Sequence, residues 1–208
     1  MGRLIDKMLK KNNKNMSENY FKFSKENMKK VNQTLKKYPL SQKSSAVMPL
    51  LDIAMRQCGG WIPDSAMHEI ASIISIPYIR VYEVASFYSM FNLQPIGKYF
   101  IQVCTTTPCW LRGSDSLVNI CKKHLTIDNN ETTQDGLFTL KTVECLGACV
   151  NARMVQINDN YYEDLTDISL LKIIENLKKG VDNKIANEIF RESLKHELNF
   201  WDSSWNQA

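Results

Sequence analysis

The chain lacks most of what marks an exported, membrane-crossing or nucleotide-binding protein. No stretch of its 208 residues reaches the ~18 consecutive apolar residues that a membrane-spanning helix requires. The opening "MGRLIDKMLKKNNKNMSEN" has no apolar core of the kind a secretory signal carries, and Asp6 stands where an acylated Gly2 would want Ser or Thr. These absences read as a soluble, non-exported protein. No Gly-rich phosphate loop occurs, so neither NADH nor a flavin has an evident seat here. No C-x-x-C occurs, which argues against a thioredoxin-type dithiol enzyme. Histidine is scarce: His68, His124 and His196 are scattered on helical segments and read as surface or structural residues. The six cysteines are too few for a disulfide scaffold, and without an export signal thiols serve as metal ligands, catalytic groups or core residues.

What is present is ordinary in bulk and uneven in detail. Hydrophobic residues make up 44% and charged ones 23%, enough apolar material for a buried core. Residues 1–45 hold twelve Lys/Arg against three Asp/Glu, a net of +9, while the remaining 163 hold fourteen against nineteen, a net of −5. No aromatic or arginine cluster accompanies the basic stretch. It therefore reads as a solvated, Lys/Asn-rich tail over residues 1–19 and not as a nucleic-acid arm. Mitochondrial transit peptides are richer in Arg and Ser than this segment.

Residues 20–96 read as a bundle of three or four short helices. Met28, Val31 and Leu35 recur at helical spacing after Ser24. "AVMPLLDIAMRQC" forms a second helix with Pro49 in its first turn, stopped by Gly59-Gly60. Met67, Ile70, Ile73 and Ile74 make the stripe of a third. "YIRVYEVASFYSMF" (78–91) makes a fourth, with Val81, Val84, Ala85 and Tyr88 on one side. After Pro95-Ile96-Gly97 the pattern changes to strand-like runs. "KYFIQVC" and "LFTLKTVEC" both end on a cysteine, with the helix "DSLVNICKKHL" between them. "MVQIN" and "YYEDL" flank the turn dipeptide Asp159-Asn160 and pair as a hairpin, and Thr166 caps a last helix stopped by Gly180. Residues 97–180 are thus a β-α-β-β-β-α domain, small α+β or thioredoxin-like, and 181–208 are a helix-prone tail with Trp201 and Trp205.

Four cysteines stand apart from this pattern. "VCTTTPCWLRGSD" (103–115) holds Cys104 and Cys109 as C-x4-C, and "ECLGACVNA" (144–152) holds Cys145 and Cys149 as C-x3-C. If the two strands lie side by side, both loops reach one sheet edge and four soft thiolates converge. Zinc knuckles favour C-x2-C, whereas a C-x4-C loop serves binuclear iron–sulfur sites. Spacing therefore ranks a 2Fe-2S cluster first and leaves zinc, a redox disulfide and unliganded thiols open. An oxidised 2Fe-2S centre with four thiolates carries two net negative charges, so sulfur-directed donors are needed. Thr105, Thr106 and Thr107, the backbone at Gly147 and the helix after Gly113 are candidates. Cys58 and Cys121 read as small buried apolar residues.

These two cysteine segments, with "LLDIAMRQCGGWIPDSAM" and "IRVYEVASFYSMFNLQPIGKY" upstream and "MVQINDNYYEDLT" downstream, resemble the family of 24-kDa (2Fe-2S) subunits of respiratory complex I, the NADH–quinone oxidoreductase. The resemblance spans about residues 20–180. It implies an α+β chain whose helical bundle precedes a thioredoxin-like 2Fe-2S ferredoxin domain, with Cys104, Cys109, Cys145 and Cys149 as the ligands of one 2Fe-2S cluster. It further implies a partner flavoprotein subunit that carries FMN and binds NADH, a neighbouring iron–sulfur subunit, and a cluster that trades single electrons with the flavin, off the main route to quinone. No nucleic acid and no membrane insertion are expected. The expected place is the cytoplasmic side of a bacterial inner membrane or the matrix side of the mitochondrial one. The equivalent diaphorase subunit of an NAD-linked hydrogenase or formate dehydrogenase is the alternative, and a zinc-stabilised interaction module is the reading from another class. Two departures stand out: Arg153 occupies a position where the family usually has proline, and the 181–208 tail lacks a Pro/Gly-rich extension.

Overall fold

The computed structural model describes residues 20–180, which fall into two compact units divided between Ile96 and Gly97. The expectations for the 1–19 and 181–208 tails, their tryptophans and His196 lie outside the described residues.

In the first unit, α1 (Lys25–Leu35), α2 (Val47–Gln57), α3 (Asp64–Ile74) and α4 (Tyr78–Phe87) enclose one core, with a 3-10 stretch, Leu40–Ala46, leading into α2. Ser24 caps α1 by accepting from the Asn27 amide at 3.1 Å. Gln57 then ties this start to the end of α2, accepting from Ser24 N at 3.0 Å and donating to Lys22 O at 2.8 Å. The apolar stripes meet inside: Val31, Leu50, Leu51, Ala54, Ile70 and Val81 are fully buried. Glu69 is buried among them and takes Lys22 Nζ at 3.0 Å, so its charge is paired. α4 is shorter than its periodicity suggests. Tyr88 has an extended ψ of 114° and is 39% exposed, and the chain turns there so that Asn92 can accept from Ile62 N at 2.8 Å and donate to Gly60 O at 3.0 Å.

The second unit is a four-stranded sheet of order β2-β1-β3-β4, built from β1 (Tyr99–Cys104), β2 (Phe138–Val143), β3 (Val155–Ile157) and β4 (Asn160–Tyr162). β1 and β2 run parallel in register from Tyr99↔Phe138 to Cys104↔Val143, while β3 and β4 add antiparallel neighbours. Parallel pairing needs a crossover, supplied by α5 (Thr107–Leu111) and α6 (Ser114–Leu125). α7 (Asp167–Lys178) follows β4, starting in a capping box between Thr166 and Ser169. Leu117, Cys121 and Leu125 of α6 and Leu170, Ile174 and Leu177 of α7 cover Ile101, Val103, Leu140 and Val155 in one core. Gly97 admits no side chain, because a Cβ there would stand 2.9 Å from the backbone of Leu137 and Phe138.

Two local expectations shift. The hairpin turn falls one residue early, on Asn158-Asp159. Asn158 takes a left-handed φ of 54°, accepts from Phe100 N at 2.8 Å and donates to Lys98 O at 3.0 Å. β2 ends at Val143, two residues before its cysteine, because Val143 O is taken by Thr105 N at 3.0 Å and the chain then leaves the sheet. α5, only five residues long, has no counterpart among the elements expected from the sequence. The Ala152–Arg153 peptide is cis. Among the described residues no helix is long and apolar enough to cross a membrane.

Candidate metal centre

Parallel strands in register deliver their C-terminal ends to the same sheet edge. At that edge the two cysteine segments meet. Cys104 is the last residue of β1, and Cys109 sits inside α5, one turn into a helix begun by Thr107 and Pro108. Cys145 lies in the loop after β2, and Cys149 opens a 3-10 turn, Cys149–Asn151. Cys104 N donates to Met154 O at 3.4 Å, which stitches the end of β1 to the chain beyond Cys149. Cys104 and Cys109 pack with Ala152 and Met154 in a small satellite core that Leu146, Ala148 and Tyr161 border.

The sulfurs group as two pairs. Cys145 Sγ and Cys149 Sγ are 3.7 Å apart. Two thiolates on one tetrahedral ion with bonds of about 2.3 Å stand about 3.8 Å apart, so this pair already has the spacing of co-ligands. Cys104 and Cys109 share a side-chain hydrogen bond and form the second pair. The pairs sense each other, since charge on Cys149 raises Cys109 and charge on Cys104 raises Cys149. Among the described residues no three His, Cys, Asp or Glu side chains stand close enough to share one ion. The four thiols gather as two pairs of soft donors, of the kind that hold zinc or iron–sulfur centres.

The surroundings set the ionisation of the metal-free thiols. Burial would raise Cys104, but amide donors from Leu146 and Thr106, the Cys109 thiol and the Thr106 hydroxyl outweigh it and hold Cys104 below the usual thiol range. Burial, with the Cys104 side chain next, pushes Cys109 up to about 11. Cys149 is raised by its partner Cys145 first and by burial second. Donor amides therefore already point at sulfur: Leu146 at Cys104, and Gly147 N at Cys145 Sγ over 3.4 Å. Gly147 reaches this geometry at a φ of +85°, a left-handed conformation that glycine takes without strain.

The threonines divide. Thr106 Oγ1 is 3.9 Å from Cys104 Sγ, whereas Thr105 Oγ1 donates to Val143 O at 3.2 Å and Thr107 begins α5. α6 begins without a side-chain cap, and the Ser116 hydroxyl in its first turn donates to Asp167 of α7. Cys58 caps α2 in the other unit, and burial raises its thiol. Cys121 is fully buried in the α6 core, where burial pushes it up to about 12. His68 and His124 have carboxylate neighbours, Asp64 at 3.4 Å and Glu175 at 2.6 Å. Residues without any signal in the sequence complete the edge: Met154 packs against the buried pair, and Tyr161 OH donates to Leu146 O at 2.8 Å, anchoring the Cys145 loop. A tyrosine facing a loop across a hairpin has no local pattern that would single it out.

The chain is similar to known proteins in sequence and in fold. A family model described as thioredoxin-like [2Fe-2S] ferredoxin matches residues 31–178. The chain is 56% identical over 167 residues to the E subunit of NADH-quinone oxidoreductase from Rickettsia prowazekii, covering 80% of this chain and 94% of that protein. It is 51% identical over 175 residues to mitochondrial NADH dehydrogenase [ubiquinone] flavoprotein 2 of Dictyostelium discoideum, covering 84% of this chain and 71% of that one. Among solved structures, an NAD+-reducing [NiFe]-hydrogenase in the air-oxidised state matches with a TM-score of 0.56 at 22% identity, over 64% of this chain and 23% of that chain. At that identity the likeness is one of fold.

Proposed function

This chain belongs to the thioredoxin-like [2Fe-2S] ferredoxin family, together with the E subunits of NADH-quinone oxidoreductases, and we propose that it is the electron-carrying subunit of such a complex. In this reading Cys104, Cys109, Cys145 and Cys149 hold one 2Fe-2S cluster. The observation that carries it is the two thiol pairs at the shared end of the parallel strands β1 and β2. When bound, such a cluster takes up and returns a single electron, which is the chemistry required beside a flavin that receives two from NADH.

The chain's own residues hold and insulate that site. The four thiolates and the group they bind are anionic, and burying such charge is costly unless donors offset it. The Leu146 and Gly147 amides and the Thr106 hydroxyl provide them. Met154 and Ala152 exclude water behind the buried pair, while Cys145 and Cys149 stay exposed. Val150, beside Cys149, is 88% exposed, and Trp110 and Leu111, beside Cys109, are 56% and 72% exposed. An exposed ligand pair with apolar neighbours suits the approach of a partner, here the flavoprotein subunit that carries FMN and binds NADH. A neighbouring iron–sulfur subunit completes the assembly, on the cytoplasmic face of a bacterial inner membrane or the matrix face of a mitochondrial one. Alone, the chain oxidises no NADH.

Identities of 51–56% to complex I subunits favour this assignment over the diaphorase of an NAD-linked hydrogenase, whose structural match rests on 22% identity, or of a formate dehydrogenase. The test is metal and sulfide analysis of the full-length chain purified without oxygen, with visible absorption and EPR after dithionite. Equal iron and acid-labile sulfide, a coloured protein and a reduced signal are expected. A colourless protein with one zinc would overturn the proposal in favour of an interaction module. Co-purification with an FMN-containing chain tests the assignment to the complex.

A further inference from the structure

Arg112, Glu144 and Asp164, close in sequence to the cysteine segments, are exposed, but Arg153 is different. Its side chain is only 18% exposed, and it lies four residues after Cys149. Its guanidinium reaches three groups on two other segments. Nε donates to Leu165 O at 2.9 Å, and Nη1 donates to Gly113 O at 3.2 Å and to Asp167 Oδ1 at 3.0 Å. Gly113 lies four residues after Cys109 and closes the turn at the end of α5, donating its own N–H to Trp110 O at 2.8 Å. Leu165 and Asp167 lead into α7, and Leu165 N returns a bond to Arg153 O at 3.0 Å.

We propose that Arg153 is a positioning residue that clamps the segment carrying Cys109 to the segment carrying Cys149. The inference rests on the reading that these cysteines hold a 2Fe-2S cluster. Sequence proximity fixes Cys145 relative to Cys149, and Cys104 relative to Cys109, but the two pairs belong to segments some forty residues apart. Where one segment sits against the other decides whether four sulfurs fit a single binuclear group. A planar guanidinium with fixed donor directions is suited to that task, because several bonds from one rigid fork define an orientation that a flexible ammonium does not. Asp167 balances the cation, and the Ser116 hydroxyl donates to its other oxygen, so the unit is a neutral, oriented clamp. Its effect on the bound group therefore comes through position.

The experiment compares wild type, Arg153→Gln, Arg153→Lys and a control, Ile174→Val, on the buried face of α7. Each chain is loaded with ferrous iron and sulfide, and three quantities are read: the rate of iron release to a chelator, the line width of the reduced EPR signal, and the melting temperature of the metal-free chain. Outer-shell losses at metal sites cost roughly 10- to 100-fold, and the low end applies because Arg153 touches no sulfur. Arg153→Gln should release iron roughly tenfold faster with a broadened signal, Arg153→Lys should fall between, and Ile174→Val should match wild type in both at a comparable loss of melting temperature. The clamp is overturned if Arg153→Gln keeps the wild-type release rate and line width, or if Ile174→Val releases iron as fast as Arg153→Gln. A wild-type chain that takes up no iron and sulfide overturns the cluster reading and the clamp with it, so the two failures are told apart by the wild type alone.

Discussion

Cys104 and Cys109 are 2% and 1% exposed, with Met154 and Ala152 against them, whereas Cys145 and Cys149 are exposed on a loop beside Val150. The spacing of the two pairs is nearly alike; their support is not. One is held by the fold, through the last residue of a central strand and a short helix whose cysteine shares its buried cluster. The other is held by backbone, through the Gly147 turn, its amide on Cys145 and the Tyr161 anchor on Leu146. The difference amounts to a division of labour. The buried pair sets where the site is, and the exposed pair leaves it open to a partner.

The largest expected effect tests that division at the ligands. Cys104→Ala should abolish iron and sulfide retention, since no other group can enter a position walled by packed side chains. Cys149→Ser should retain a fraction of the iron with shifted visible bands, because an exposed serine oxygen can relax toward the metal. Equal loss from both variants, measured as iron per chain, would erase the comparison. Met154→Ala comes next. It empties a fully buried site behind the inner pair and should lower stability by about 2–5 kcal/mol in denaturant titration. Iron should also leave it faster. A smaller effect is expected at the outer pair: Tyr161→Phe removes one hydrogen bond to Leu146 O and should cost about 1 kcal/mol. Its mark would be faster iron loss together with a melting shift of about a few degrees in the metal-free chain.

How much of this is legible in the sequence follows the same line between fold and backbone. The apolar stripes mark the helices and their buried faces, because a helix must put residues such as Val31, Leu50 and Ile70 inward to be stable at all. The strand character of β1 and β2, the hairpin and the Thr166 cap are readable for the same local reasons. That both strands end at one edge is a condition the sequence allows, and the parallel register is a fact of the structure. What escapes depends on contacts between distant segments. α5 carries no helical signal, because the five residues TPCWL are too few to show an apolar period. Cys145 reads as a strand end, although Thr105 takes the last carbonyl of β2 two residues earlier. Arg153 reads as a bare substitution, and its three bonds reach segments that no local window contains.

Val150→Ser is expected to have the smallest effect, and its smallness is informative. At 88% exposure the Val150 side chain touches little, so in the isolated chain the substitution should change stability by no more than about 0.5 kcal/mol. Iron content and the reduced EPR spectrum should be unchanged. With a flavoprotein partner seated over the exposed pair the same side chain would be buried, and losing it should weaken association by about 1.5 kcal/mol, the lower range for covering a valine. Melting curves of the isolated chain and calorimetric titration with the purified flavoprotein subunit read the two halves separately. A destabilised isolated chain would show that Val150 supports the loop and that the outer pair, like the inner one, is held by packing. An unchanged affinity would move the partner's contact away from this edge, leaving the exposure of Cys145 and Cys149 without the role that the comparison assigns to it.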